Sequence, residues 1–259
     1  ISSPITIIAE FVFLLAFFII WYYLYLMKFK ERLLQGKLVK RYKRFFVDIE
    51  YKNEIITAHC PNSGSMMGLL NINNNVWFST SNNPKRKLKY TLEIIEINKK
   101  LVGINTMLTN KIVLEALNEK KIKNLVNFNN LKTEVKFSTN TRFDFMISNK
   151  KDKCFLEVKN VTLSRKVNIA EFPDAITSRG KKHLEELIKA KSRGYESFML
   201  FLIQRNDCDN FKISEDIDPL YYAALNKAKK YGVKMLCYDC KINNKEVILN
   251  KKINFLKWV

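Results

Sequence analysis

The sequence predicts a two-domain α+β protein, a small β-barrel followed by an α/β domain. Three observations carry this. Between Lys40 and about Asn105, short alternating runs ("RFFVDIEY", "EIITAHC", "NVWFSTS", "YTLEIIEI", "LVGINT") are separated by Asn-, Gly-, Ser- and Pro-containing turns. After Asn110 the apolar spacing turns helical, with Ile112, Leu114, Ala116 and Leu117 in "KIVLEALNEKKI". The chain then alternates strand, helix, strand, helix, strand, which requires crossover connections and a largely buried mixed sheet.

Each element follows from local chemistry. Five short strands in so short a span fit a small barrel such as an OB-fold, while an immunoglobulin-like sandwich would want more strands. In the second half, "LKTEVKF", "TRFDFMI" and "CFLEVKNV" read as strands, the last two joined by the polar turn "SNKKDK". A helix over "SRGKKHLEELIKAKS" starts at Ser178 as N-cap, and "SFMLFLIQ" is a continuous apolar strand. "DPLYYAALNKAKKYG" takes Asp218 as cap and Pro219 at its first turn, and stops at Gly232. "VKMLCYDC" closes the series as a buried strand. The boundaries are 36–105 for the barrel, a nucleic-acid-binding domain, 106–243 for the α/β domain, and 244–259 for a C-terminal tail.

The charge balance narrows the partner. Lys and Arg number 45 against 25 Asp and Glu, a net charge of +20, which favours a polyanion: nucleic acid first, an anionic membrane surface second. Lys, Asn and Ile are abundant as in AT-rich genomes, so codon bias can supply part of the excess. Five irregularly spaced cysteines argue against a disulfide scaffold and for a reducing compartment. Cys237 and Cys240 form a C-x-x-C inside a strand, without the second pair that a tetrahedral zinc site needs. Walker A and G-x-G-x-x-G sequences are missing, which removes support for nucleotide-driven chemistry.

Buried charges are costly unless paired or bound to a metal, and "RFDFMI" and "FLEVKNVT" place Asp144, Glu157 and Lys159 inside core-like runs. Alternation points Glu157 and Lys159 the same way, and Asp144 lies in the preceding strand of the same hairpin. Two carboxylates can hold Mg²⁺ (or Mn²⁺) and leave positions for water and a phosphate oxygen. The metal would acidify that water, and Lys159 would orient it or offset charge at the phosphate. As a bare pattern, [DE]-x-K also occurs at Glu50/Lys52, Glu119/Lys121, Glu134/Lys136 and Asp239/Lys241, so context singles out 157–159. The alternative is a surface Glu–Lys pair on a sheet edge.

Residues 36–242 resemble the bacterial sugar fermentation stimulation protein (SfsA) family. The matching stretches, in order, are "KRYKRFFVDIE", "TAHCPNSGSMMGLL", "NPKRKLKYTLEIIEI", "VGINT", "RFDF", "FLEVKNVTL", "FPDAITSRGKKHLEEL" and "FLIQR". The resemblance implies an OB-fold joined to a restriction-endonuclease-like domain of the PD-(D/E)xK type. It also implies DNA binding, a link to regulation of sugar (maltose) metabolism, and a nuclease activity inferred mainly from fold and motif. The motif's first acid falls on Asp144 and its E-x-K on Glu157 and Lys159, with Phe143 where the motif has Pro. Pro173 and Asp174 follow the E-x-K and cannot be its first half.

Further candidates surround this core. Gln204 ends a buried strand and joins the catalytic set. Arg179, Lys182 and His183, with Asp174, crowd a helix start suited to phosphate, and Lys85, Arg86 and Lys87 sit on a Pro turn suited to backbone contacts. Glu115 is a candidate further metal-site acid, with an exposed helix carboxylate as the alternative. Tyr42, Phe46 and Trp77 are stacking candidates in a class of residues that is mostly core. Two functions remain: a Mg²⁺-dependent nuclease acting on DNA, or a DNA-binding regulator whose nuclease fold is silent.

The first residues form a separate question. Residues 5–27 carry only Glu10 as a charge and end in aromatics before a basic flank, the pattern of a membrane span with the rest of the chain facing the cytoplasm. The first methionine is Met27, which leaves only the short lead "KFKERLLQ" before the family-like "GKLVKRYKRF". We expect residues 1–26 to be a start-site misassignment and the protein to be cytoplasmic, a genuine anchor being the alternative.

Overall fold

The computed structural model describes residues 28–139 and 141–256. The stretch 5–27 and the question of a start at Met27 lie outside them. Among the described residues no helix is long and apolar enough to cross a membrane.

The first half is a closed barrel with the strand order of an OB-fold. Its strands are β1 (Leu34–Tyr42), β2 (Phe46–Tyr51), β3 (Glu54–His59), β4 (Asn75–Thr80) and β5 (Tyr90–Ile97), with β6 (Lys100–Gly103) added beyond β5. The sheet runs β3-β2-β1-β4-β5-β6, and a parallel pairing of β3 with β5 at Ala58–Tyr90 and His59–Thr91 closes it. Leu38, Val47, Ile49, Val76, Phe78 and Leu92 fill the interior. Phe78 meets Tyr51 and Tyr90 edge-on, each at 5.4 Å between centroids. β1 is a strand that the sequence pattern does not announce, because "LQGKLVKRY" reads as a basic flank. Its lysines face out while Leu38 is fully buried.

Closure brings β1 hard against β2 at Gly36. A Cβ there would lie 2.6 Å from the Glu50 carbonyl oxygen and 2.6 Å from Ile49 Cγ2. Gly36→Ala is therefore expected to cost about 1–3 kcal/mol of stability through overpacking, read as a lowered denaturation midpoint. An unchanged midpoint would show that the strands can part there at no cost.

The second half is built on a six-stranded sheet, β15-β14-β12-β9-β8-β7. Its strands are β7 (Asn130–Ser138), β8 (Thr141–Ser148), β9 (Lys153–Val161), β12 (Glu196–Ile203), β14 (Lys234–Ile242) and β15 (Val247–Lys252). β9, β12 and β14 run parallel, and the outer pairs are antiparallel. Alternation along β12 makes two cores. Phe198, Leu200 and Leu202 face α1 (Thr109–Asn118), whereas Met199, Phe201 and Ile203 face α2 (Ser178–Ser192) and α3 (Pro219–Lys230). Asp218 caps α3 as expected, but Thr177, not Ser178, caps α2 by accepting from the Gly180 amide. Cys237 and Cys240, three apart on β14, fall into opposite cores and cannot share a metal.

Two features depart from the expectation. Residues 244–256 of the expected tail are folded in: Val247 and Leu249 are buried in β15, and Asn254–Phe255 forms β16. A four-stranded sheet, β10 (Leu163–Lys166), β11 (Asn168–Phe172), β13 (Cys208–Ile213) and β16, covers the α2/α3 side. Its two parallel pairings, β11 with β13 and β13 with β16, join segments about forty residues apart, which local periodicity does not encode.

The halves share a core. Leu33 and Ile94 are buried in the cluster on the α1 face, with Trp77 and Leu101 packed against it. The Gly103 amide donates to the Gln204 carbonyl at 2.9 Å. Trp77 is thus part of the joint and not a stacking platform.

Candidate active site and nucleic-acid cleft

The β8–β9 ladder stops at the Phe145–Leu156 pair. Just beyond it, the Asp144 side chain takes over the strand's role: Oδ2 accepts from the Val158 amide at 2.7 Å and Oδ1 from Asn110 Nδ2 at 2.8 Å. Asn110, on α1, carries no signal in the sequence.

Glu157 and Lys159 point to the α2/α3 face, because their register partners Met199 and Phe201 do. Lys159 Nζ donates to Glu157 Oε1 at 2.6 Å, and His183 Nδ1 lies against the same oxygen. Arg179 Nε approaches His183 Nε2 at 3.4 Å, which suits the tautomer with its proton on Nδ1 facing Glu157, while Lys159 Nζ also lies 3.2 Å from Nδ1. Both donors serve Oε1, and Oε2 is buried with no hydrogen-bond partner among the described residues. Burial, then the nearby Glu157 carboxylate, push the Asp144 carboxyl up to about 6, against the pull of the Val158 amide, Asn110 and Lys159. Burial also opposes charge on Glu157, but Lys159 and His183 overcome it and hold that carboxyl below its ordinary range.

A cleft of about 950 Å³ opens over this cluster. Asp144 and His183 line it, with the cations Lys136, Arg142, Arg179 and Lys182 and the acid Glu134 around them. Arg142, Arg179 and Lys182 are exposed and His183 is buried. The cleft therefore joins a cationic rim to the half-buried Asp144, with the buried Glu157 held against its lining residue His183, a combination suited to a phosphodiester with a hard cation.

Residues 39–104 match the SfsA N-terminal OB domain and residues 107–246 match the sugar fermentation stimulation protein RE domain. The chain belongs to the sugar fermentation stimulation protein family. It is 54% identical over 230 residues to the sugar fermentation stimulation protein homolog of Pelagibacter ubique, covering 89% of this chain and 99% of that one. The Maricaulis maris homolog is 44% identical, with 87% and 97% covered. Among solved structures, Pyrococcus furiosus SfsA in complex with Ca²⁺ superposes with a TM-score of 0.81 at 23% identity, covering 90% of this chain and 99% of that chain.

On this family member the other candidates are dispersed. Gln204 follows the opposite parity on β12 and lies on the α1 face, its Nε2 donating to Asn160 Oδ1 at 2.6 Å and to Thr109 Oγ1 at 3.2 Å. Its Oε1 would touch a Cβ at Gly103, so it belongs to the domain joint, away from the cleft lining. Glu115 is buried on α1 rather than exposed. Asp174 ties the domains together: it accepts from Ser65 Oγ at its carbonyl (2.9 Å) and from the Met66 amide at Oδ2 (3.3 Å). Tyr42 and Phe46 stack on each other at 5.5 Å. Lys85, Arg86 and Lys87 are exposed on the β4–β5 loop, where Arg86 Nη2 donates to Thr91 Oγ1 at 2.8 Å; none of the three lines the cleft.

Proposed function

We propose that the protein binds DNA and cleaves its phosphodiester bonds with a divalent cation, Mg²⁺ or Mn²⁺, in a PD-(D/E)xK-type site held by Asp144 and Glu157. The observation that carries this is the buried, unpartnered Glu157 Oε2 beside a second carboxylate under a cationic cleft. Among the described residues no group of three or more His, Cys, Asp or Glu is arranged to hold a metal. Two carboxylates nevertheless suit Mg²⁺, which keeps several waters and takes few protein ligands. That the Pyrococcus furiosus relative is a Ca²⁺ complex supports a hard cation with oxygen ligands. When bound, the ion would acidify a water and offset charge at the scissile phosphate.

The chain's own groups do the rest. Lys159, 2.6 Å from Glu157, brings a positive charge that can orient the attacking water or stabilise charge on the phosphate oxygens. His183 holds the Glu157 carboxylate in place, which makes it a positioning residue rather than a phosphate ligand. Arg142, Arg179 and Lys182 grip the backbone at the rim. The reading puts the activity in the cytoplasm, supported by five free, buried cysteines.

The test is purified protein on DNA and RNA with Mg²⁺, Mn²⁺ or EDTA. Cleavage should require metal, and Glu157→Gln should lower it by a factor on the order of 10³ with DNA affinity kept. Binding without cleavage under every metal would leave a DNA-binding regulator instead.

Affinity should fall steeply with salt. Replacing Lys85, Arg86 and Lys87 by Ala should reduce the log–log salt slope by about 0.9 for each duplex phosphate that these side chains neutralise. An unchanged slope would remove that turn from the interface.

A further inference from the structure

The active-site cleft does not end at α2. Ser178 and Arg179 line it, and the preceding residue, Thr177, lines a second cleft of about 480 Å³ between the two domains. That second cleft runs along the loop Pro173–Thr177 to Ser63–Ser65, Arg41 and Arg44 on the barrel. Its walls are fixed to each other. Arg41 Nη2 donates to the carbonyls of Asn62 (2.7 Å) and Gly64 (3.0 Å), and Ser65 and Met66 are bonded across the joint to Asp174. The two linings adjoin at Thr177 and Ser178, an arrangement that would make one groove from the β1–β2 turn to Asp144.

We infer that this groove is the track of one strand of DNA, held by the barrel at Arg44 and presented by the loop 173–177 to the acids. The inference rests on the phosphodiester site proposed above and names the form of its substrate. Two kinds of group along the track support a single strand. Cations stand at its ends, Arg44 on the barrel and Arg179 and Lys182 at the cleft, all exposed. Between them Ile176 is 78% exposed on the groove wall, and next to Arg44 in the chain Phe45 is 46% exposed with its ring 6.5 Å from that of His59. Exposed apolar and aromatic side chains serve bases that are unstacked, and in a duplex those faces are already covered.

The experiment is fluorescence anisotropy in EDTA with the full chain, so that binding is read without cleavage. Labelled single strands of ~6 and ~20 nucleotides lie near the short end of, and beyond, the span of about 4–16 nucleotides that one OB-fold occupies, and a duplex of the longer sequence is the third probe. The long strand should bind at least about 10-fold tighter than the short one and tighter than the duplex. Arg44→Asn combined with Ile176→Ser should weaken the long strand roughly 5- to 100-fold and leave the short one unchanged. Asn suits the left-handed backbone of Arg44 (φ 62), so the fold is kept. Duplex binding as tight as single-strand binding, equal losses on both lengths, or no loss on the long strand would each overturn the track. RNA binding tighter than DNA of the same sequence would overturn the choice of DNA. Absence of cleavage alongside the predicted binding pattern would remove the catalytic reading and leave the track standing.

Discussion

Asp144→Asn is expected to silence cleavage and, at the same time, to stabilise the metal-free protein. The carboxyl is pushed up to about 6 from 3.8 by burial and by Glu157. The folded state therefore binds this proton more tightly than the unfolded chain does, and it loses stability as the pH rises from about 4 through about 6. Above that the metal-free protein carries the full penalty, with a ceiling of about 3 kcal/mol. The carboxylate borders an open cleft, so a gain of about 1–2 kcal/mol is the expected outcome for the asparagine variant at pH 8 in EDTA. An asparagine can still accept from the Val158 amide, and a flipped Asn110 amide can accept from it in turn. At pH 4, where the wild-type carboxyl is protonated, the two proteins should have matching stability. Mg²⁺ should stabilise wild type at pH 8 and lose that effect as the pH falls through about 6. Equal denaturation midpoints for variant and wild type at pH 8, or a variant that still cuts, would remove Asp144 from the site.

The largest loss of stability is expected at Phe201. Its ring is fully buried in the middle of β12 and meets Phe211 at 4.8 Å, Phe172 at 5.6 Å and Phe255 at 5.8 Å. These neighbours come from β11, β13 and β16, so the ring holds the small sheet to the large one. Phe201→Ala should cost about 3–5 kcal/mol, from lost burial and a cavity that rigid aromatic neighbours cannot fill. Chemical denaturation should show it as a lowered midpoint, and a loss below about 1 kcal/mol would mean that the rings close over the gap.

The acids are legible because strand alternation is local. Glu157 and Lys159 are two apart on a strand, and Asp144 sits in the partner strand of a short hairpin, so spacing alone brings them near each other. Gln204 misleads for want of a register. Once Met199 is opposite Glu157 and Phe201 opposite Lys159, position 204 must face the other side of the sheet. His183 needs the docking of α2 on β9, which no helical pattern specifies, and Asn110 needs the same for α1. The barrel's first strand hides behind its lysines, while β15 hides in a segment of mixed charge.

The joint between the domains has a consequence for how such a protein can change over time. Leu33 and Ile94 leave the barrel wall to be buried among residues of the α/β half, and Gly103 leaves room for Gln204 across the seam. A barrel cut out at residue 105 would carry a bare greasy face, and the other half would lose the lid on one of its cores. A shared core of this kind disfavours separate exchange of the halves, which loosely linked modules allow. Ancestry should keep them together, and a change on one side of the seam should call for an answering change on the other.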